Sequence, residues 1–404
     1  MRGHGSDALF GMDGFRVLAV DEHDGELNVL VELERDEAAC PGCGTFSGKV
    51  KERPVVQVAD APAGGRPVRV FWSKRRLRCL EGFCPRLTFT QQAPDHIAPR
   101  ARLTRRLAEL LATAVRTRSV AEVAAEHGVS WWTVWRVTKI HIEQLLGSRP
   151  TPAPRRLGLD ETTFRRPQRF ATGFVDLDTG RLVDLVEGRS KKLVSDWLAA
   201  LDDAVRAGIQ EVALDPFAGY NAAVRDGAAG ARITIDKFHA MRLANQVVTD
   251  VRCRRQQELT GHRGRKGDAL YGARRDLLRA RERLSERAEQ RLAQAFTADD
   301  DLQVECAWVA KESFRDIYTA RDRSHAHRLL IGWYQLVIDY DVPELTTLAR
   351  TISQWETQFL NYFDSRATNA ASEGRNLIIK QVKRSGFGFR RFDNYRLRVL
   401  YRCA

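Results

Sequence analysis

The sequence contains no run of apolar residues long enough to cross a membrane, since none approaches the roughly 18 that a spanning helix needs. The first residues, MRGHGSDALFGMDGF, lack the apolar core of a signal peptide. Seven cysteines are an odd number, in a chain of 404 residues that is too large to need disulfide bonds for stability. We therefore expect a cytoplasmic protein with reduced thiols and no membrane partner.

Acidic residues are also fewer than basic ones. The 52 acidic residues against 65 basic ones leave a formal net charge of +13. Lysine is scarce, so most of the cations are arginines, whose guanidinium groups suit phosphate. A surface this basic favours a polyanionic partner, nucleic acid above all. The apolar fraction of 43% argues against a disordered chain, and the length allows two or three domains.

Four of the seven cysteines lie in two close pairs within residues 1–98. CPGCG contains Cys40 and Cys43, and CLEGFC contains Cys79 and Cys84. Two such pairs about 35 residues apart are typical of a four-thiolate Zn²⁺ site, in which no position remains for a reactive water. The segment between them alternates around AGG, as a β-hairpin does. We predict a structural zinc ribbon that contacts DNA, with four buried free cysteines as the alternative.

Residues 99–148 have the pattern of a helix-turn-helix domain. RLTRRLAELLATAVRTRS is amphipathic, Ser119 can cap a second helix that ends near Gly128, and Ser130 can cap a third. In this arrangement the last helix enters the major groove of DNA. The residues of that helix predicted to contact DNA are Trp131, Trp132, Thr133, Arg136 and Lys139.

Residues 155–252 follow the order βββαβαβ. Three antiparallel strands followed by alternating helices and parallel strands are the order of an RNase H-like fold, in which the first and fourth strands are neighbours. Asp160 lies in the first strand, after LGL, and Asp215 ends the fourth, after VAL. Two buried carboxylates side by side repel each other unless a cation lies between them. For either aspartate alone, an ordinary strand-end capping role is the alternative.

Residues 367–404 would complete this core. TNAASEGRNLIIKQVKRSGFG predicts a helix with an apolar stripe of Leu377, Ile378 and Val382. The opposite face carries Glu373 near its start, then Asn376, and then three cations, Lys380, Lys383 and Arg384. A single acid there can simply satisfy the helix dipole. In an RNase H-like nuclease, however, a late helix delivers a third carboxylate to the two aspartates.

Residues 253–366 have helical patterns throughout and predict an inserted α-helical domain. The arginine-rich stretch from Arg252 to Arg291 can clamp DNA, mediate dimerisation or form a solvated helix face. The predicted fold is therefore multidomain α+β. A zinc ribbon and a helix-turn-helix domain precede an RNase H-like α/β core, whose two parts flank the helical insertion.

In their order and spacing, CPGC…CLEGFC, the helix-turn-helix, GLDE, VALD, IDKFH and TNAASEGRNLIIKQVKRSGFGF resemble the DDE transposases of the ISL-three family of bacterial insertion sequences. By position, the resemblance implies that Asp160, Asp215 and Glu373 form the catalytic triad and hold two Mg²⁺ (or Mn²⁺) ions per active site. Asp236 and His239 match an auxiliary Asp-x-x-His element. A core histidine is the alternative for His239, and Asp236 is the alternative to Asp215 as second ligand.

The resemblance implies a nucleoid-associated bacterial transposase that binds the terminal inverted repeats of its element, nicks the 3′ ends and joins them to target DNA. Lys380, Lys383 and Arg384 would hold the phosphates of the strand being cut. Coupled cleavage at two ends implies a homodimer or larger homo-oligomer on DNA. Two alternatives remain: a catalytically silent DNA-binding regulator (a domesticated transposase), and an RNase H-like nuclease that cuts without strand transfer.

Overall fold

The computed structural model describes residues 10–150, 152–165 and 167–404. It divides into two compact units. The described residues up to Arg149 form one unit together with Val382–Phe389, whereas Pro150–Gln381 and Arg390–Ala404 form the other. Within the described ranges, every helix is too short or too polar to cross a bilayer.

The described part of the first unit contains three small sheets. Gly64 and Gly65 have positive φ angles of 57° and 77° and close an antiparallel hairpin at AGG, as the sequence predicted. The sheets have the orders β1-β2-β7-β6, β3-β4 and β5-β8-β9. Their strands are β1 (Phe15–His23), β2 (Glu26–Leu33), β3 (Ala38–Ala39), β4 (Phe46–Ser47), β5 (Val50–Glu52), β6 (Val55–Ala63), β7 (Arg66–Ser73), β8 (Arg76–Arg78) and β9 (Thr88–Thr90).

Three helices follow in the first unit: α1 (Arg105–Val115), α2 (Val120–Glu126) and α3 (Trp131–Gly147). Ser119 caps α2 in a capping box with Glu122, and Ser130 caps α3 by accepting a hydrogen bond from the backbone N–H of Thr133. Gly128 has a φ of 61°, which lets the chain turn between these two helices. The predicted helix-turn-helix is therefore confirmed.

The second unit is built on a five-stranded sheet of order β12-β11-β10-β13-β14. Strands β10, β11 and β12 are antiparallel, whereas β10, β13 and β14 run parallel, which is the arrangement predicted from the sequence. The elements are β10 (Arg156–Arg165), β11 (Arg169–Asp176), β12 (Arg181–Glu187), α4 (Lys191–Ala199), α5 (Asp203–Ala207), β13 (Glu211–Leu214), α6 (Ala218–Gly227), β14 (Arg232–Ile235) and α7 (Lys237–Thr260).

The helical region after the sheet shares its core. Leu159 and Val212 of the sheet belong to the same hydrophobic cluster as Phe314, Trp333 and Phe359 of the helices. Helix α7 also runs without a break past the boundary predicted after residue 252. The helices are α8 (Ala269–Gly272), α9 (Glu286–Thr297), α10 (Gln303–Ile317), α11 (Arg323–Tyr340), α12 (Pro343–Gln354), α13 (Glu356–Ser365), α14 (Ala370–Ser385) and α15 (Phe392–Cys403).

Candidate functional site

The four paired cysteines converge on one point. Cys40 Sγ lies 3.9 Å from Cys84 Sγ, Cys43 Sγ lies 3.5 Å from Cys79 Sγ, and all four sulfurs lie within 4.8 Å of one another. A tetrahedral zinc site with Zn–S bonds of about 2.3 Å separates its sulfurs by about 3.8 Å. The four thiols therefore have the spacing that a structural zinc ion requires.

The backbone around these cysteines accounts for their convergence. The backbone N–H of Gly44 donates to the carbonyl of Cys40 at 2.8 Å, which folds CPGCG into a tight turn. Gly44 itself has a φ of 80°, which favours glycine. Hydrogen bonds from Thr45 lower the pKa of the Cys43 thiol to about 6 against the opposing effect of burial. At least one thiolate is thus ready to bind a cation at neutral pH.

The residues predicted to contact DNA from α3 lie on its solvent side. Trp132 is 74% exposed, and its ring lies edge-to-face against that of Trp131 with centroids 5.0 Å apart. Arg136 and Lys139 are exposed, and Lys139 pairs with Glu143 at 3.6 Å. Thr133 is half-buried, with its hydroxyl 2.8 Å from that of Ser130. The start of α3 therefore presents an aromatic and basic surface.

A groove of about 500 Å³ beside α3 carries arginines that the sequence reading missed. Its walls are α3 residues from Arg136 onward, Ala108 and Glu109 of α1, and the segment Ala98–Arg105, where Arg100 and Arg102 are exposed. This segment is held to β6, because the N–H of Ala59 donates to the carbonyl of Arg102 at 2.9 Å. These arginines are therefore displayed on an ordered segment next to the predicted recognition helix.

The second unit brings acidic residues together at one edge of its sheet. Asp160 lies in β10, while Asp215 and Asp236 directly follow β13 and β14. Because these three strands are parallel neighbours, their carboxyl ends meet at the same edge, where α/β sheets place their ligands. Asp160, Asp215 and His239 each bring one ligand atom to within 4.8 Å of the others. Hard carboxylate oxygens at this spacing suit a divalent cation.

His239 lies between two carboxylates. Its Nδ1 is 2.7 Å from Asp215 Oδ1 and 3.1 Å from Asp236 Oδ2, with hydrogen-bond alignment toward Asp236. Burial lowers the pKa of His239, but the two carboxylates outweigh burial and raise the pKa to about 9. The imidazole is therefore protonated at neutral pH and partly compensates the acidic cluster. Asp215 Oδ1 is left buried without an aligned hydrogen-bond donor.

The surroundings of Asp160 disfavour the ionised form of its carboxyl group. Its burial, followed by the neighbouring charge of Asp215, raises its pKa to about 6. The backbone N–H of Glu161 and the side-chain Nδ2 of Asn376 donate hydrogen bonds to its two oxygens, at 2.7 and 2.6 Å. The ionised pair of Asp160 and Asp215 consequently favours a cation, and their oxygen donors fit Mg²⁺.

Helix α14 docks its buried polar face on this edge. The backbone N–H of Asn369 donates to Asp236 Oδ1 at 2.9 Å, and the Asn369 Nδ2 donates to the carbonyl of Leu159 at 3.2 Å. Gly158 makes this approach possible, because a Cβ there would lie 2.4 Å from Ser372 Oγ. The helix is thus anchored to both β10 and the acid that follows β14.

The apolar stripe predicted for α14 is wrong for Leu377, which is 70% exposed, whereas Ile379 and Val382 are buried. The reason is that the sheet edge offers polar partners, so Asn376 takes the buried position next to Leu377. Glu373 lies one turn before Asn376, is exposed, and is not in the group of ligand atoms within 4.8 Å. Its part in the site stays a prediction. The three predicted phosphate contacts follow on the same helix: Lys380, Lys383 and Arg384.

Family models match three regions of the chain. Residues 157–399 match the ISL3 DDE family model, described as "Transposase". Residues 91–139 match the helix-turn-helix domain of transposase family ISL3. Residues 36–84 match the zinc-finger of transposase IS204/IS1001/IS1096/IS1165.

Two curated proteins are similar to this chain. The transposase for insertion sequence element IS1001 of Bordetella parapertussis is 23% identical over 397 residues, which cover 97% of this chain and 96% of that protein. The transposase for insertion sequence element IS1557 of Mycobacterium tuberculosis is 26% identical over 307 residues, covering 69% of this chain and 66% of that protein.

Proposed function

This chain belongs to the ISL3 family of insertion-sequence transposases, and from that membership we propose that it cuts and joins DNA by a DDE mechanism. In this proposal, the second unit is an RNase H-like catalytic core with a helical insertion. The observation that carries it is the convergence of Asp160, Asp215 and His239 at the carboxyl edge of the sheet. Acids drawn together against their mutual repulsion are characteristic of a site built for cations.

We propose that two Mg²⁺ (or Mn²⁺) ions are held by Asp160, Asp215 and Glu373. Such ions would supply Lewis-acid stabilisation of the phosphate oxygens during hydrolysis and transesterification. The chain's own contribution is orientation: Asn376 holds one oxygen of Asp160, and His239 lies against one oxygen of Asp215. The hydrogen bond from Asn376 fixes the direction of the Asp160 carboxylate, and the charged imidazole of His239 attracts that of Asp215.

The contacts of Asp236 favour Asp215 as the second ligand. Asp236 is fully buried, and each of its oxygens already accepts a hydrogen bond, from the backbone N–H of Asn369 and from His239. Asp215, by contrast, is only half-buried. In the proposal Asp236 and His239 are therefore positioning residues, and Asp215 binds the cation.

Glu373 is proposed as the third ligand because of where its helix is anchored. Asn369 and Asn376 tie α14 to the acidic cluster on either side of Glu373. Residues 373 and 376 lie one turn apart on the same side of a helix, so in the proposal the carboxylate of Glu373 reaches the edge that Asn376 contacts. An exposed glutamate there can turn inward when a cation or DNA is bound.

DNA binding is proposed to involve both units. In the first, Trp131, Trp132, Thr133, Arg136 and Lys139 would enter the major groove at the terminal inverted repeats. In the second, Lys380 would hold a phosphate of the cut strand, and Lys383 and Arg384, which belong to the first unit, are also proposed to hold phosphates of that strand. Coupled cutting at two ends requires a homodimer or larger homo-oligomer on DNA, and such binding implies association with the bacterial nucleoid.

The test is an assay of the purified protein with the terminal repeats of its own element, a target duplex and Mg²⁺. Cleavage at the 3′ ends with strand-transfer products supports the proposal. Cleavage without joined products identifies a nuclease, and end binding without either product identifies a silent regulator. Light scattering of the protein with and without two ends measures the assembly.

A further inference from the structure

A second basic feature lies in the helical part of the second unit, away from the acidic cluster in sequence. It is a cavity of about 240 Å³ between α7 and the segment 274–278. Arg252, Arg274 and Arg275 line it, and the rest of its wall is formed by Thr249 and the apolar side chains of Val248, Leu277 and Leu278. None of the described residues that line this cavity is a carboxylate.

Arg252 is buried without the partner that a buried guanidinium normally has. It is 7% exposed, its Nη1 is buried without an acceptor, and its Nη2 contacts the weakly accepting Sγ of Cys253 at 2.9 Å. Among the described residues, no carboxylate forms an ion pair with it. A buried charge left uncompensated is costly unless an anion reaches it.

Arg255, one turn farther along α7, is a buried arginine that does form ion pairs. It is 6% exposed, and its ion pairs reach acids on two sides of it. Those acids are Glu258, Asp299, Asp300 and Asp301, at 2.6 to 2.9 Å. The contrast identifies Arg252 as the exception, because burial alone does not prevent ion pairing on this helix.

The other two arginines of the cavity are also available to an anion. The Nη1 of Arg274 donates to the carbonyl of Tyr271 at 2.7 Å, and its guanidinium lies 4.0 Å from the centre of the Tyr271 ring, which holds it in place. Arg275 is exposed. Asp276, the acidic residue that follows Arg275 in the sequence, is already paired with Arg279 and Arg291.

We propose that the cavity of Arg252, Arg274 and Arg275 binds a phosphate group of the DNA backbone. Guanidinium groups donate paired hydrogen bonds that match the oxygens of phosphate, and three of them compensate its charge. The phosphate chemistry rests on the cavity itself. The choice of DNA as its source rests on the proposed function, and free phosphate is the other source of the same group.

The experiment compares four proteins: the unmodified chain, Arg252→Met, Arg275→Ala and Arg287→Met. Each is the full chain with its zinc and without Mg²⁺. Arg287 is exposed on α9 and does not line the cavity, so its variant controls for loss of charge. Thermal unfolding in inorganic phosphate is compared with unfolding in chloride at equal ionic strength. Affinity for a random-sequence duplex is then measured across salt concentrations.

We expect phosphate to raise the unfolding midpoint of the unmodified chain and of Arg287→Met, but not that of Arg252→Met or Arg275→Ala. In chloride, Arg252→Met should unfold at the same or a higher temperature, because the change removes a buried unpaired charge. The slope of log affinity against log salt is negative, and its magnitude should decrease by about 0.9 more in Arg252→Met than in Arg287→Met. Arg275→Ala carries the test if Arg252→Met does not fold.

The inference is overturned if phosphate stabilises none of the proteins, or all four equally. If phosphate acts through the cavity but the salt slopes of Arg252→Met and Arg287→Met coincide, DNA is excluded as the source of the phosphate. If the chain binds no DNA while phosphate still acts through the cavity, the proposed function fails and the phosphate site stands.

Discussion

Asn376 donates a hydrogen bond from its side-chain Nδ2 to Oδ2 of Asp160 at 2.6 Å, across 216 positions of the sequence. This contact joins a late helix to the first strand of the central sheet. It also fixes one oxygen of the carboxylate that carries the raised pKa. The amide therefore orients the carboxylate of Asp160.

The proposed ligands can be tested by isosteric replacement. We expect Asp160→Asn, Asp215→Asn and Glu373→Gln each to abolish Mg²⁺-dependent cleavage of the element ends, because an amide is a poor ligand for a hard cation. Gel-shift affinity for the ends should be retained. Glu289→Gln, an exposed change on α9, is the control. Full cleavage by Glu373→Gln would remove the third ligand from the proposal.

Asn376→Ala should weaken Mg²⁺-dependent cleavage without removing any ligand. We expect the Mg²⁺ concentration for half-maximal cleavage to rise about 10- to 100-fold, as is usual when a hydrogen bond to a metal ligand is lost. Leu377→Ala, the next residue and an exposed one, is the matched control. An unchanged Mg²⁺ titration for Asn376→Ala would show that the contact does not position Asp160.

The raised pKa of Asp160 predicts that its ionised carboxylate destabilises the metal-free protein at neutral pH. An unfolded aspartate releases its proton near pH 4, whereas folded Asp160 retains it to about pH 6. The folded state therefore binds more protons in that window, and its contribution to stability is lost as pH rises through it. We expect Asp160→Asn to increase the unfolding free energy at pH 7 by about 1–3 kcal/mol.

Denaturant unfolding at several pH values, in the presence of a chelator that spares the zinc site, measures this effect. The gain should shrink as pH falls from 7 to 4 and vanish below pH 4, where the aspartate becomes protonated in both states. Asp250→Asn, at an exposed position on α7, is the control. Equal unfolding free energies for the Asp160→Asn and unmodified proteins at pH 7 would contradict the prediction.

Gly158→Ala should separate α14 from the sheet. A Cβ at this position would lie 2.4 Å from Ser372 Oγ and 2.5 Å from Asn369 Oδ1, so these side chains or the helix that carries them must move. We expect a loss of about 1–3 kcal/mol in unfolding free energy and a marked fall in cleavage. Gly332→Ala, in the middle of α11 with open space around it, should instead stabilise by about 1 kcal/mol. Unfolding curves that match for the two variants would rule out this close approach.

Zinc content tests the cysteine cluster. We expect about one zinc ion per chain by mass spectrometry or atomic absorption, and its loss in Cys40→Ser, because a hydroxyl is a poor substitute for a thiolate ligand. The first unit should then unfold at a lower temperature. Cys306→Ala, a change in α10 outside the cluster, should keep the metal. Unmodified protein without zinc, or Cys40→Ser with a full complement, would contradict the assignment.

Features encoded in short stretches of the chain were readable from sequence. The cysteine pairs of the ribbon and the caps Ser119 and Ser130 depend on spacings of a few residues. The strand order of the second unit was also predictable, because the handedness and length of connections leave few arrangements. That order by itself places Asp160 near Asp215.

The contacts that decide how the site works were not readable. Nothing local distinguishes Asn376 from Leu377 as the buried residue of α14, because the choice depends on the polar edge of a sheet far away in sequence. The different surroundings of Asp215 and Asp236 depend in the same way on where Asn369 docks. Arg252 also resembles its many neighbouring arginines until burial and ion pairing are known.

By itself, therefore, the sequence determined the family, the order of the elements and the residue types available for zinc, DNA and divalent cations. Tertiary structure alone decided which of those residues meet, which oxygens are already occupied and which buried charge has no partner. The physical reason is range: caps, turns and periodicity act over a few residues, whereas burial and electrostatic environment are set by elements that touch only in the folded chain.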